Sequence, residues 1–455
     1  MAQFRRESQI PTSALNLYRY HCNPGAFGRL NPPWEPCEVQ EQDAGIKEGD
    51  VRHLKVGPRP FQIPWVAAHR EFVEGRQFVD IQEKGPFKNW RHLHLFTDDK
   101  DGKALLTDLI DYQFPLNLPL SPFILGKLET MFGYRHRQTR RDFRLISSYP
   151  GPLSPTPGPS LQIGVTGSSG FLGQTLTSFL QVAGHTVVPL KRGYAGPEED
   201  DVYWWPEPDS EGLEGLDAVV HLAGETVGQL WTKASRERIY FSRAEGTRRL
   251  ARALAGLKRP PKTFISASAT GYYEQVSDGP VTESAQPGDH FLSEVCQAWE
   301  EATRPAADAG IRVCNVRIGL VLSLAGGVLP LQMPAFRLGL GAVLGDGRQM
   351  QPFVDRDDVV GAIYHLLLSP ELEGPFNATA PNPVSQAEFA ETLAQACSRP
   401  LFLKLPEAPF RWLLRDQADL LFKGVEAIPD RLTETGYQFL APTLEESLGH
   451  QLGLS

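Results

Sequence analysis

The segment 161–176, LQIGVTGSSGFLGQTL, constrains this chain more than any other. A strand-like apolar run leads into Gly167, Gly170 and Gly173, and these open a helix with Leu172, Leu176, Phe179 and Leu180 turned inward. Gly184 is placed to close that helix in a left-handed cap, and a second strand-like run, Thr186–Leu190, follows. Glycines in this order permit a tight turn and a side-chain-free approach. A pyrophosphate can then rest against the helix N-terminus, where free N–H groups and the dipole favour an anion. The spacing is G-x-x-G-x-x-G rather than G-x-G-x-x-G, but the physical requirement is the same. A lone glycine triplet could be a structural turn. Strand, triplet, capped helix and second strand in succession argue for a dinucleotide site, with Gly167, Gly170, Phe171, Leu172 and Gly173 against the cofactor.

At the end of the second strand an Asp or Glu would hold the ribose 2′-hydroxyl of NAD. Lys191 and Arg192 stand there instead and can pair with a 2′-phosphate, so NADP (NADPH) is the expected cofactor. Two solvated charges after a strand are the alternative. Downstream, strand candidates Asp217–Leu222, Thr263–Ala267 and Arg312–Leu322 alternate with helical stretches at about Ser235–Leu257 and Leu292–Asp308. This is the pattern of a doubly wound parallel α/β sheet of Rossmann type over 161–404. Residues 405–455 read as a small, mostly helical appendage.

Ser147–Ser160, SSYPGPLSPTPGPS, holds five prolines and two glycines and can sustain neither a helix nor a central strand. It is expected to be an extended, semi-rigid linker. Before it, 1–146 read as α+β. A broken helical region (Thr12–Leu30) precedes period-two runs at Trp65–His69, Phe78–Ile81 and Trp90–Phe96, the last placing Trp90, His92, His94 and Phe96 on one face. A helix from about Pro122 to Arg144 follows, and an antiparallel sheet gripping it would fit this order. The formal charge of −9 argues against a general nucleic-acid or membrane-surface binder. Five cysteines without a CxxC pair, no signal-like N-terminus and no long apolar run point to a reducing, cytoplasmic setting with no membrane span and no structural zinc.

Several blocks carry a family resemblance: the glycine motif, HLAGE from His221, Ser242-Arg243, ISASATGYY from Ile265, VRIGLVL from Val316, RLGLG from Arg337, FNATAP from Phe376 and the closing LLFKGVEAIPDRLTETGYQF. Residues 161–455 resemble the "epimerase family" branch of extended short-chain dehydrogenase/reductases (the NAD-dependent epimerase/dehydratase type), closing with that branch's short C-terminal domain of unknown function. The resemblance implies an NADP-binding Rossmann fold in which Leu222, Ala223 and Gly224 pass beside the cofactor, and Arg243 and Val321 add contacts.

Dehydrogenases of this superfamily carry Tyr-x-x-x-Lys on one helix, where the lysine charge lowers the tyrosine pKa. None of the twelve tyrosines here has a lysine four residues on, and the aligned positions are Leu292 and Cys296. Ser266 and Ser268 lie where the superfamily places its catalytic serine or threonine, and Tyr272 and Tyr273 follow beside the expected nicotinamide position. One of these tyrosines is a candidate proton donor; both could equally be packing residues with satisfied hydroxyls. Cys296 would be nucleophilic only in electropositive surroundings, and otherwise is an inert buried thiol.

Residues 4–146 resemble the START-like (SRPBCC, polyketide-cyclase-like) helix-grip family through LNPPWEP from Leu30, the run from Gly57 to Asp80, GPFKNWRHLHLF from Gly85 and LGKLETMFGYRHR from Leu125. The resemblance implies a pocket for a lipid or other apolar molecule, lined by Trp34, Trp65, Trp90, His92 and His94. His92 and His94 share a strand face, but sequence spacing supplies no third ligand, so no metal is expected. Arg135, Arg137, Arg140, Arg141 and Arg144 read as a solvated or ion-paired helix face rather than a nucleic-acid site. The leading expectation is an atypical NADP-dependent oxidoreductase or epimerase-like enzyme fused to a ligand-binding domain. Its competitors are a non-catalytic NADPH-responsive binding protein and a lipid carrier with a vestigial Rossmann domain. Oligomeric state stays open.

Overall fold

Period-two patterning in the first third of the chain builds one antiparallel sheet. The computed structural model describes residues 2–40, 46–58, 60–114, 121–193, 201–275 and 279–454. These fall into two units, one of 1–160 with 178–185 and 450–455, the other of 161–177 with 186–449. In the first, β1 (Ala2–Ile10), β2 (Cys37–Val39), β3 (Val51–Val56), β4 (Ile63–Val73), β5 (Gln77–Lys84), β6 (Asn89–Asp98) and β7 (Ala104–Gln113) form a sheet in the order β1-β7-β6-β5-β4-β3-β2. Every pairing is antiparallel. Trp90, His92, His94 and Phe96 are the buried face of β6, as the alternation demands. The helical region splits into α1 (Ala14–Cys22) and α2 (Ala26–Leu30).

α3 (Ser121–Ile146) is the long helix. Its Leu128 and Phe132 are buried with Phe4, Trp90, Ile110 and Tyr112 of the sheet. Each such side chain contributes about 1.5–3 kcal/mol on full burial, so this cluster holds helix to sheet. Of the five arginines on α3, Arg140 and Arg144 are exposed, whereas Arg135 is half-buried with its guanidinium over the Phe132 ring.

The proline-rich stretch 147–160 is a folded turn rather than an extended spacer. Gly151 bridges Pro157, Gly158 N donates to Gly151 O, and Leu153 and Ser154 are buried. Proline presets φ for turns as readily as for extended runs. The two chain passes come so close that a Cβ on Gly158 would lie 2.6 Å from Gly151 N.

From residue 161 the chain forms β8 (Gln162–Thr166), α4 (Phe171–Val182), β9 (Thr186–Arg192), β10 (Val202–Trp205), α5 (Ser210–Leu213), β11 (Ala218–His221), α6 (Lys233–Ala255) and β12 (Thr263–Ala269). α7 (Phe291–Glu301), α8 (Arg304–Asp308), β13 (Arg312–Ile318), β14 (Leu320–Ser323), β15 (Gly326–Gly327) and α9 (Leu329–Arg337) follow. Then come β16 (Ala342–Leu344), β17 (Met350–Gln351), β18 (Phe353–Asp355), α10 (Arg356–Leu368) and β19 (Gly374–Ala378). The main sheet is wholly parallel, in the order β10-β9-β8-β11-β12-β13-β19. The winding reverses at β8, between β9 and β11, and that reversal opens the crevice where α/β sheets bind ligands. Leu250, Leu254 and Leu257 pack with Val219, Phe264 and Val313 across the sheet.

Two elements differ from their sequence reading. The run Arg312–Leu322 is two strands: β13 belongs to the main sheet, and β14 to a small sheet with β15 and β18. The chain changes sheet at Gly319, where a Cβ would stand 2.1 Å from Pro352 O. The expected helix Leu292–Asp308 breaks at Ala302-Thr303, and Pro305 lies in the first turn of α8, where its missing N–H costs nothing. β10 and β19 had no counterpart in the sequence reading.

Near its C-terminus the unit is pinned by a buried carboxylate. Asp358 of α10 accepts from Tyr437 Oη (2.9 Å), Leu440 N (2.7 Å) and Ala441 N (2.9 Å), and such charge-assisted bonds are the strong ones. All five cysteines are free thiols. Among the described residues no helix is long and apolar enough to cross a membrane.

Candidate functional site

β8 ends at Thr166, and the chain turns through Gly167, whose φ of +67° lies in the left-handed region that glycine enters without a Cβ penalty. The first turn of α4 lies directly on this turn: a Cβ on Gly173 would stand 2.0 Å from Gly167 O. A Cβ on Gly167 would meet Leu222 C and Ala223 N at 3.0 Å, so the loop after β11 closes on the same glycine.

Thr166 ties these parts together. Its Oγ1 accepts from Leu222 N (3.1 Å) and Ala223 N (3.2 Å), which directs its own proton to His221 Nδ1, 2.7 Å away. His221 then donates from Nε2 to Thr247 Oγ1 at 3.0 Å. Burial, reinforced by the Arg243 charge, pushes the His221 pKa down to about 3, so the imidazole is neutral.

Gly224 is next in the loop, and a Cβ there would lie 3.1 Å from Arg243 Cζ. Arg243 donates to Glu225 O at 2.9 Å, and its guanidinium lies 4.8 Å from the Trp299 ring centroid. The β14–β15 hairpin, which carries Val321, reaches the start of α4: a Cβ on Gly326 would meet Phe171 Cγ at 2.4 Å. Gly167, Gly170, Phe171, Leu172, Gly173, Leu222, Ala223, Gly224 and Arg243 thus gather around the C-terminal ends of β8 and β11, with Val321 on the adjoining hairpin. Lys191 and Arg192 end β9 and are exposed. Lys191 pairs with Asp201. Among the described residues Arg192 has no carboxylate partner. A bare glycine turn, a helix N-terminus and cations at the next strand end suit a phosphorylated dinucleotide.

A second cluster is centred on Arg317 of β13, which is 3 % exposed. Its Nε and Nη2 donate to the two Glu300 carboxylate oxygens, both at 2.8 Å. Its Nη1 donates to Tyr273 Oη (2.9 Å) and Glu283 O (3.1 Å). Tyr273 Oη donates to Asn377 Oδ1 at 2.6 Å, and Ser268 Oγ to Glu300 Oε1 at 2.7 Å. Burial pushes the Tyr273 hydroxyl up to about 12, outweighing the Arg317 charge beside it. Ser266 is fully buried and donates to Ala267 O at 3.2 Å.

Ser266, Ser268 and Tyr273 therefore have hydroxyls engaged inside the protein. Tyr272 alone of the four keeps solvent-facing surface, and its ring centroid lies 3.5 Å from Arg317 Cζ. Leu292 and Cys296 face the end of β12, where a Cβ on Gly271 would lie 3.3 Å from Leu292 Cβ and 3.9 Å from Cys296 Sγ. The Cys296 thiol is pushed up to about 12 by burial and is inert at neutral pH. Arg317, Glu300, Glu283 and Asn377 escaped the sequence reading. A lone arginine inside the apolar run VRIGLVL was their one signal, since a buried guanidinium requires an acidic partner.

In the first unit Trp65 and Trp90 meet edge to face at 5.2 Å, and Trp34 packs on Tyr134 at 5.1 Å. Sequence spacing fixes no carboxylate partner for His92 and His94. Strand pairing supplies two, setting Asp80 opposite His92 and Asp108 opposite His94.

Residues 163–378 match the NAD dependent epimerase/dehydratase family, and 405–451 match a domain of unknown function (DUF1731). Epimerase family protein Mb2239 of Mycobacterium bovis is 40% identical over 293 residues, which are 63% of this chain and 96% of that protein. Human epimerase family protein SDR39U1 is 34% identical over 293 residues, 63% of this chain and 98% of that protein. The solved nucleoside-diphosphate sugar epimerase from Corynebacterium glutamicum covers 99% of this chain and 90% of its own, with a TM-score of 0.81 and 32% identity. Human SDR39U1 isoform 2, solved with NADPH, covers 64% of this chain and 99% of its own, with a TM-score of 0.59 and 32% identity.

Proposed function

This chain belongs to the epimerase family, and from that premise we propose that it is an atypical NADP-dependent short-chain oxidoreductase or epimerase-like enzyme acting on an apolar small molecule. The carrying observation is the glycine turn, where α4 starts so close upon Gly167 that no Cβ fits at Gly173, which sets the helix N-terminus at the end of β8. The N–H groups opening α4 would hold the pyrophosphate, and Lys191 and Arg192 the 2′-phosphate. The NADPH bound to human SDR39U1 supports this choice of cofactor. Once bound, the cofactor supplies hydride exchange at its nicotinamide C4.

Tyr272 is the residue we assign to proton donation, because Tyr273 and Ser268 are committed to Arg317 and Glu300. Arg317 packs on the Tyr272 ring and fixes its orientation. The first unit acts as a START-like domain that captures the apolar ligand; the sheet packed on α3 and the Trp65–Trp90 pair support that role.

Fluorescence titration with NADPH and NADH tests the cofactor. Wild type should prefer NADPH, and the Lys191→Ala/Arg192→Ala double variant should lose the preference. Equal binding of the two cofactors by wild type would sink the 2′-phosphate argument. The apolar Leu292 and the inert Cys296 at the Tyr-x-x-x-Lys positions favour a second reading, a non-catalytic NADPH-responsive protein. Carbonyl substrates that consume NADPH with wild type but not with Tyr272→Phe support the enzyme; tight binding with no consumption across the panel supports the sensor.

A further inference from the structure

We infer that Asp80, His92 and His94 form an open three-ligand site for a divalent first-row transition-metal ion on the inner face of the N-terminal sheet. One donor atom from each residue lies within 4.8 Å of the other two. Asp80 Oδ2 is 3.1 Å from His94 Nε2 and 3.8 Å from His92 Nδ1. Donors about 2.1 Å from a tetrahedral ion stand roughly 3.4 Å apart, a separation that the two Asp80–histidine distances bracket.

The surrounding shell is of the kind that metal-binding histidines use. On the far side of both rings, Asp108 Oδ1 lies 2.8 Å from His92 Nε2 and 2.9 Å from His94 Nδ1. Each imidazole thus presents one nitrogen to Asp80 and the other to Asp108. Behind His92 that carboxylate forms a hydrogen bond, which fixes the ring's tautomer and orientation and raises its basicity as a ligand. Asp108 is itself held by His136, whose Nε2 donates to its Oδ2 at 2.7 Å, and Asp80 by His69, whose Nδ1 donates to its Oδ1 at 2.6 Å.

Register, not sequence spacing, makes the site. His69 pairs with Asp80 and Asp80 with His92, while His94 pairs with Asp108. Asp108 stands near His94 Nδ1 without forming a hydrogen bond to it, and His69 Nε2 is likewise buried without a hydrogen-bond partner. The Asp80 side chain keeps 23 % exposure while both histidines are buried, and three protein ligands would leave a fourth position for water. Two imidazoles and one carboxylate suit Zn2+ or Fe2+ and discriminate against Mg2+ and Ca2+, which prefer all-oxygen shells.

Metal-stripped full-length protein titrated with Zn2+ by calorimetry should take up one equivalent at micromolar concentration, with no heat from Mg2+. His92→Ala or His94→Ala should abolish stoichiometric uptake, and Asp108→Asn should weaken it by about 10- to 100-fold. No uptake by wild type at millimolar Zn2+, or unchanged affinity in both histidine variants, would overturn the site. Far-UV circular dichroism checks that the variants fold. If they do not, Co2+-loaded wild type decides: visible d–d bands with two paramagnetically shifted imidazole N–H resonances support the site, and their absence overturns it.

Discussion

His221→Gln should change the acid stability of the second unit by an amount the structure allows us to work out. The imidazole is fully buried, neutral, and bonded on both sides to Thr166 and Thr247. Its pKa is pushed down to about 3, by burial first and by the Arg243 charge second. In the unfolded chain it titrates near its ordinary value, about 6.5. Between those values the unfolded chain holds a proton that the native state does not. The stability tied to the neutral ring is therefore complete above about pH 6.5 and is lost progressively as pH falls towards 3. At pH 5 the loss amounts to about 1.5 pK units, or ~2 kcal/mol. Glutamine can keep the bonds to the two threonines but cannot titrate. At pH 7 the variant should be less stable by about 1 kcal/mol, from imperfect hydrogen bonds. By pH 5 that deficit should vanish or reverse. Other buried histidines, His185 among them at about 4, add their own pH dependence to the protein, so the informative quantity is the difference between wild type and variant. Urea unfolding at pH 7, 6 and 5 measures it. Parallel pH profiles, with the gap constant to within about 0.5 kcal/mol, would refute the buried neutral imidazole.

Other expectations concern the glycine turn and the arginine cluster. Gly173→Ala would place its Cβ against the Gly167 carbonyl and should weaken NADPH binding at least about tenfold, whereas Gly170→Ala, whose Cβ would lie 3.2 Å from that oxygen, should be milder; fluorescence titration ranks them. Glu300→Gln leaves the Arg317 guanidinium buried without its carboxylate and should cost about 3–5 kcal/mol in urea unfolding. Tyr273→Phe removes one donor to Asn377 and one acceptor from Arg317, so a loss of about 1–3 kcal/mol in stability with NADPH affinity unchanged is expected.

The features legible in the sequence are those set by near neighbours along the chain. The glycine spacing at 167–173 defines a turn and a helix start within a few residues, and Gly184 closes that helix with φ +91°. The alternation in β6 and the leucine stripe of α6 name buried faces because the periods of strand and helix are fixed by local geometry. Local reading failed where apolar pattern continued through a change of partner. VRIGLVL looks like one strand, but Gly319 carries the chain from one sheet to another, and no residue in the run is polar enough to mark the crossing except Arg317.

Tertiary structure alone decided the chemistry around those elements. Tyr273, Glu300, Arg317 and Asn377 come from four separate segments and meet only because β12, β13 and β19 lie side by side in the sheet. That meeting leaves Tyr272, rather than Tyr273, with an accessible surface. His92 and His94 announce a shared face, but their carboxylates arrive from β5 and β7 through strand register. Sequence spacing specifies which side of its own element a residue faces. What stands opposite depends on pairing and packing between segments far apart in the chain, and there the sequence by itself is silent.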